Sequence, residues 1–295
     1  MKNSYKVKNI YDLDSANLKD SVVNSDYYIH KEGSYRSVLK YLSASMNTKC
    51  KIINIDNSID LFKEVVDQLL DQENNDNKKI NFSVDISLIN RKEIANLFTQ
   101  IVRLCSAYCC KINICYGLAE YNPPSSGIDF NHIVKPVNQF FSGWSTKPGL
   151  PVMTIVGLGY EKDKALGAIE YLESSNTVIY IPNSQEQRYR EDVEKVNSSV
   201  LSVVKSENKI EYDVESPSDA IYSLDSVLIS NKTKYKTVLF PFGPKIFYAA
   251  SLVSCIAHPE ASVWFVSGED NDLDSSQDRE IIDCVGFHFE ISYPR

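Results

Sequence analysis

Short runs of Ile, Val, Phe and Tyr take turns along this chain with segments whose apolar residues recur every three or four positions. That alternation constrains the fold more than any other feature. When a strand is followed by a stretch long enough for a crossover helix, the next strand lies parallel to it. A parallel sheet built this way buries both faces under helices. The chain therefore reads as α/β, with two Rossmann-like halves, each a mainly parallel sheet flanked by helices.

In the first half, CKIINI at 50–55 reads as a buried strand, and Asp56-Asn57-Ser58 as capping chemistry for the helix after it. Leu61, Phe62, Val65, Val66, Leu69 and Leu70 give that helix its apolar face. KINFSVDI at 79–86 is the next strand. Asn90 with Glu93 three residues on is the pattern of a capping box. It opens a helix with Ile94, Leu97, Phe98, Ile101, Val102 and Cys105 on one face, and KINICY at 111–116 follows as a strand. Residues 1–120 are thus expected to form a small α/β unit of about three parallel strands.

Residues 121–150 break the rhythm with Pro123, Pro124, Gly127, Gly143, Pro148 and Gly149. They read as an irregular connector, whose Phe140, Phe141 and Trp144 either pack between domains or dock a partner. Residues 151–295 read as a Rossmann-like domain. Its strands are expected at 151–156, 177–181, 209–214, 236–241 and 262–266, with a possible edge strand at 286–292. Helices are expected at 162–173, 185–204, 218–230 and 245–257, the last apolar nearly all round and so buried.

Charge and composition remove several classes of function. Thirty-one Lys and Arg against 39 Asp and Glu leave a net charge of −8, unsuited to coating DNA, which needs a broad basic surface. No apolar run approaches the roughly 18–20 residues that span a bilayer. The opening MKNSYKVKNIYDLDS lacks the apolar core of a secretory signal. A cytoplasmic location with no membrane partner is expected. The seven cysteines, an odd number, fit reduced thiols. Cys105, Cys109, Cys110 and Cys115 lack the two close pairs of a structural zinc site and read as small buried hydrophobes, so no metal is assigned.

Ligands of open parallel sheets sit beyond the carboxyl ends of the strands. One such loop is Gly157-Leu158-Gly159-Tyr160, which is neither GxGxxG nor a P-loop. It is either a ligand contact or an ordinary tight turn. A second is Pro241-Phe242-Gly243-Pro244-Lys245. Lys245 falls in the first turn of a helix, where a cation opposes the macrodipole; it either contacts a bound anion or is a solvated or ion-paired lysine. Asn183 and Ser184, with Arg188 and Arg190 beyond, form either a polar extension of that site or a charged surface helix. In the first half, Asp56 and Asp85 end two strands and either hold a divalent cation, with Arg36 near the same edge, or leave Asp56 to cap its helix while Ser87 or Asn90 caps the next. Of the four histidines, His258 reads as the cation ending a buried helix, and His132 lies in the connector. No GxSxG nucleophile elbow is present.

The stretches VMTIVGLGYEKDKALGAIEYL and VLFPFGPKIFYAASLVSCIA, the latter followed by SVWFVSG, resemble CARF-like Rossmann domains over about residues 150–268. Gly243 and Lys245 in PFGPK match the glycine and lysine of the family's TGGTK-type turn; its Thr and second Gly have no counterpart. The resemblance implies a homodimeric sensor that binds a cyclic oligonucleotide or related nucleotide. It also implies a microbial antiviral setting, in which such a module can be one subunit of a complex with an ATPase or nuclease. The HEPN RxxxxH pattern of a common effector is absent.

The expected function is a nucleotide- or phosphoryl-ligand-binding module, non-enzymatic or weakly so. Its expected ligand residues are Gly157, Gly159, Tyr160, Asn183, Ser184, Gly243 and Lys245. The alternatives are a metal-dependent nuclease or phosphodiesterase using Asp56 and Asp85, and a structural subunit of a defence complex.

Overall fold

The structure, a computed structural model, describes residues 5–56, 60–71, 79–124, 133–144, 147–267 and 278–293. Asn57, Ser58, Gly127, His132 and the acidic loop up to Gln277 lie outside the described residues. The chain opens with β1 (Lys6–Leu13), α1 (Ser15–Val23), β2 (Tyr27–His30), α2 (Val38–Tyr41), β3 (Lys51–Asn54) and α3 (Asp60–Asp71). It continues through β4 (Lys79–Asp85), α4 (Arg91–Leu104), β5 (Cys109–Ala119), β6 (Ile133–Pro136), β7 (Val152–Gly157) and α5 (Lys164–Tyr171). Then come β8 (Asn176–Asn183), α6 (Gln187–Val196), α7 (Ser198–Val203), β9 (Lys209–Asp213) and α8 (Pro217–Asn231). It closes with β10 (Lys236–Pro241), α9 (Lys245–Ala257), β11 (Ser262–Ser267) and β12 (Ile281–Ser292).

Two compact units result, each with a six-stranded sheet. The first unites Met1–Glu120 with Asp274–Arg295, and the second is Tyr121–Leu273. The expected α/β class, with two mainly parallel sheets flanked by helices, is what the chain forms.

In the first unit the strand order is β1-β12-β5-β4-β2-β3. Strands β2 to β5 are parallel, while β12 runs antiparallel to both its neighbours. Helices α1 and α2 bury Leu18, Val22, Val38 and Leu42 against Tyr28, Cys115 and Cys284 on one face. The other face meets α3 and α4, with Phe62 edge-on to Phe82 at 6.0 Å and Phe98 stacked on Phe289 at 6.1 Å. The capping box of α4 forms as its sequence predicts. Asn90 Oδ1 accepts from the Glu93 amide at 2.8 Å, and Glu93 Oε2 accepts from the Asn90 amide at 3.1 Å.

This unit is larger than the three strands expected. Two of its strands, β1 and β2, precede residue 50, and β12 arrives from the far end of the chain. The strand expected at the edge over 286–292 is instead interior, between β1 and β5. His288 and Glu290 make it look half-solvated in sequence. Both are buried here, with His288 Nδ1 2.7 Å from Asn113 Oδ1 and Glu290 between Lys8 at 3.8 Å and Lys111 at 3.9 Å.

In the second unit the order is β6-β11-β10-β7-β8-β9, with all but β6 parallel. The region read as a connector supplies β6 and ties itself down, with the Val263 amide donating to Phe141 O and the Trp144 amide to Pro259 O, both at 2.9 Å. Phe141 is buried, whereas Phe140 and Trp144 are exposed. Helices α5, α6 and α7 pack Ala165, Ala168, Val193 and Val200 on one face of the sheet. On the other, α9 brings Phe247 against Gly157, and nearly every residue of α9 is buried. The single helix expected over 185–204 divides at Asn197, whose side-chain amide donates to Val193 O and Gly159 O, both at 2.8 Å.

Candidate functional site

Counted from β7, the parallel strands of the second unit lie in the order 3-2-1-4-5. Their path reverses between β7 and β10, where an open α/β sheet parts at its carboxyl end to leave a crevice. The loops that flank it carry Leu158-Gly159-Tyr160 and Phe242-Gly243-Pro244. The Leu158 amide continues the sheet by donating to Tyr180 O at 2.9 Å. Leu158 and Phe242 turn inward as core.

The two loop glycines meet each other. Gly243 has φ +81°, and a Cβ there would lie 2.2 Å from Leu158 O; a Cβ on Gly159 would lie 2.4 Å from Gly243 Cα. Gly157 makes room for Phe247, whose Cε1 would be 2.4 Å from an added Cβ. All three glycines are therefore in close contact with neighbouring protein atoms. Their freedom from a Cβ is what lets the loops close on each other.

Lys245 begins α9 directly after this loop and is only 6% exposed. It is engaged in an interaction within the protein. Tyr160 packs against Tyr189, with ring centroids 5.1 Å apart. Asn183 ends β8 and Ser184 follows it, one strand away from the reversal. Asn183 Oδ1 accepts from Arg190 at 3.4 Å, while Arg190 also binds Glu211 at 2.6 Å and Glu194 at 3.0 Å. Arg188 pairs with Glu186 at 2.6 Å. Both arginines are thus members of ion pairs at the surface.

Sequence reasoning missed Glu215. It follows β9, and its Oε1 accepts from the Gln185 amide at 3.3 Å. Burial, and next a hydrogen bond that the protonated carboxyl donates to neighbouring Asp213, push it up to about 7. The only signal was an Asp-Val-Glu run at a strand end.

In the first unit, Asp85 is 4% exposed and saturated by donors. Its Oδ2 accepts from Tyr28 OH at 3.2 Å and the Val38 amide at 3.1 Å. Its Oδ1 accepts from the Ser87 amide at 3.0 Å and the Ser87 hydroxyl at 2.5 Å. Asp56 has different partners, the Glu32 amide at 2.9 Å and Lys31 at 3.9 Å. Each carboxylate thus organises its own loop. Among the described residues no group of three or more His, Cys, Asp or Glu side chains is placed to hold a metal ion. Arg36 is buried and donates through Nε and Nη2 to Gly117 O at 3.0 and 2.9 Å, with its guanidinium over the Tyr116 ring.

No protein-family model matches this sequence, and no curated protein matches it significantly. The fold defines a chain of two Rossmann-like units. Among the described residues no helix is long and apolar enough to cross a membrane.

Proposed function

We propose that the unit Tyr121–Leu273 is a non-catalytic module that binds a nucleotide or another phosphoryl ligand at the carboxyl edge of its sheet. The observation that carries this reading is the burial of Lys245 at the first residue of α9, beside the reversal between β7 and β10. A desolvated ammonium and the positive end of a helix reinforce each other there. A phosphoryl group at the rim gains from both charges, besides whatever holds Lys245 within the protein. The two loop glycines close on each other, so recognition falls to Lys245 and to the rim residues Tyr160, Asn183 and Ser184.

The resemblance of about residues 150–268 to CARF-like domains supplies the ligand class, cyclic oligonucleotides, and a cytoplasmic antiviral setting as a homodimer or as a partner of an ATPase or nuclease. The test is a thermal-shift panel of cyclic oligoadenylates, NAD and ATP with Mg2+, run on wild type and Lys245→Met. A ligand at about 100 times its Kd adds roughly 2.7 kcal/mol to stability. The expected result is a shift in wild type and a Kd at least tenfold weaker in the folded variant. A shift undiminished in Lys245→Met removes the site assignment, and no shift with any compound removes the function.

A further inference from the structure

We propose that the carboxyl edge of the first unit is an oxyanion site, filled here by the protein's own Asp278, and that a phosphate monoester binds in the carboxylate's place. Strand β2 has β3 on one side and β4 on the other, so the chain's path reverses there too. The loop after β2 therefore opens onto the crevice where such sheets bind ligands. Three successive amides of that loop converge on one carboxylate. Ser34 N donates to Asp278 Oδ2 at 2.6 Å, and Tyr35 N and Arg36 N donate to Oδ1 at 3.1 and 2.7 Å. Consecutive amides aimed at one point form an anion-binding concavity.

The surroundings fit an anion. Lys40 lies close enough for its charge to favour the carboxylate, and its ammonium donates to Gly33 O at 3.1 Å and Ser34 O at 3.3 Å, which occupies two loop carbonyls. Burial pushes the Asp278 carboxyl up, but the three amides and Lys40 outweigh it and hold the group below its ordinary range. Gly33 permits the close approach, since a Cβ there would lie 2.2 Å from Leu88 Cδ1 and 3.1 Å from Asp278 Oδ1.

The loop is also held without Asp278. The buried Arg36 side chain is bonded to Gly117 O, and the Val38 amide to Asp85. The donors are thus preorganised. Nor is Asp278 needed to anchor the returning chain. Arg279 Nη1 already donates to Glu120 O at 2.6 Å, and the Glu120 amide to Glu280 O at 3.1 Å. Asp278 itself is exposed, so solutes can compete for its place. A carboxylate offers two oxygens to three amides. A phosphate monoester offers three and more charge.

The test follows backbone amide signals in 15N-labelled full-length wild type, Asp278→Ala and Asp278→Asn, titrated with inorganic phosphate and then glycerol phosphate. A tethered carboxylate competes at an effective concentration near millimolar, so removing it should tighten phosphate binding by about tenfold or more. Ser34, Tyr35 and Arg36 should move together and saturate in Asp278→Ala, with Asp278→Asn intermediate. If Asp278→Ala does not fold, Asp278→Asn against wild type decides. Folded variants whose three amides stay still, or move equally in sodium chloride of matched ionic strength, would overturn the proposal and leave Asp278 as a structural latch.

Discussion

Gly243 and Gly159 lie back to back, and the φ of +81° at Gly243 is a region that side chains with a Cβ rarely adopt. Gly243→Ala should cost about 1–3 kcal/mol from backbone strain alone, and more from the approach to Leu158 O, read as a lower urea midpoint. His258 ends α9, with Nε2 2.6 Å from Asp225 and Nδ1 3.5 Å from Glu260. Burial pushes its imidazolium down, but the two carboxylates together outweigh that and raise it above the ordinary value. A histidine raised on folding stabilises fully below its unfolded value of about 6.5, and that stability is lost as pH rises through the folded one. The Tm difference between wild type and His258→Gln should therefore be largest in mildly acidic buffer and shrink above neutrality. A difference that does not change with pH would exclude the pair as its source. Glu215 has the same slope in a lower window. Its carboxyl rises to about 7, so folding loses stability from the unfolded value upward to neutrality, and Glu215→Gln should flatten that decline.

At the scale of elements, capping was the most legible feature. Asn90→Ala removes the side-chain half of the capping box on α4 and should lower stability by about 1 kcal/mol in a denaturant melt. Asp85 illustrates the opposite case. In sequence it is a carboxylate at a strand end; in the fold it joins β2, α2 and the loop after β4 through four hydrogen bonds. Asp85→Asn should cost about 1–3 kcal/mol and leave Mg2+ binding by calorimetry unchanged, whereas a nuclease centre would lose it. The first two strands were illegible for a physical reason. β2 has only four residues, and β1 exposes half of its residues and buries only Leu13, so neither carries the periodicity that marks a buried element. The break at Asn197 was equally hidden, because its function is a hydrogen bond to Gly159 on another element.

At the scale of the molecule, the first unit is completed by a strand from the chain's end. Truncation after Leu273 removes β12 and leaves β1 and β5 without their shared neighbour. Hydrogen exchange should then show lost protection across β1 and β5 and retained protection in β7 to β10. Uniform loss in both units would refute their independence. The strand–helix alternation sufficed to read the α/β class, the parallel pairing and most strand positions of the second unit, because hydrophobic periodicity and capping are local properties of the chain. Partnership was decided only on folding. That Gly159 meets Gly243, that Asp278 fills the amides after β2, and that β12 pairs with β5 rather than with the second sheet are contacts between residues distant in sequence, and local pattern carries no record of which distant surface a residue will meet.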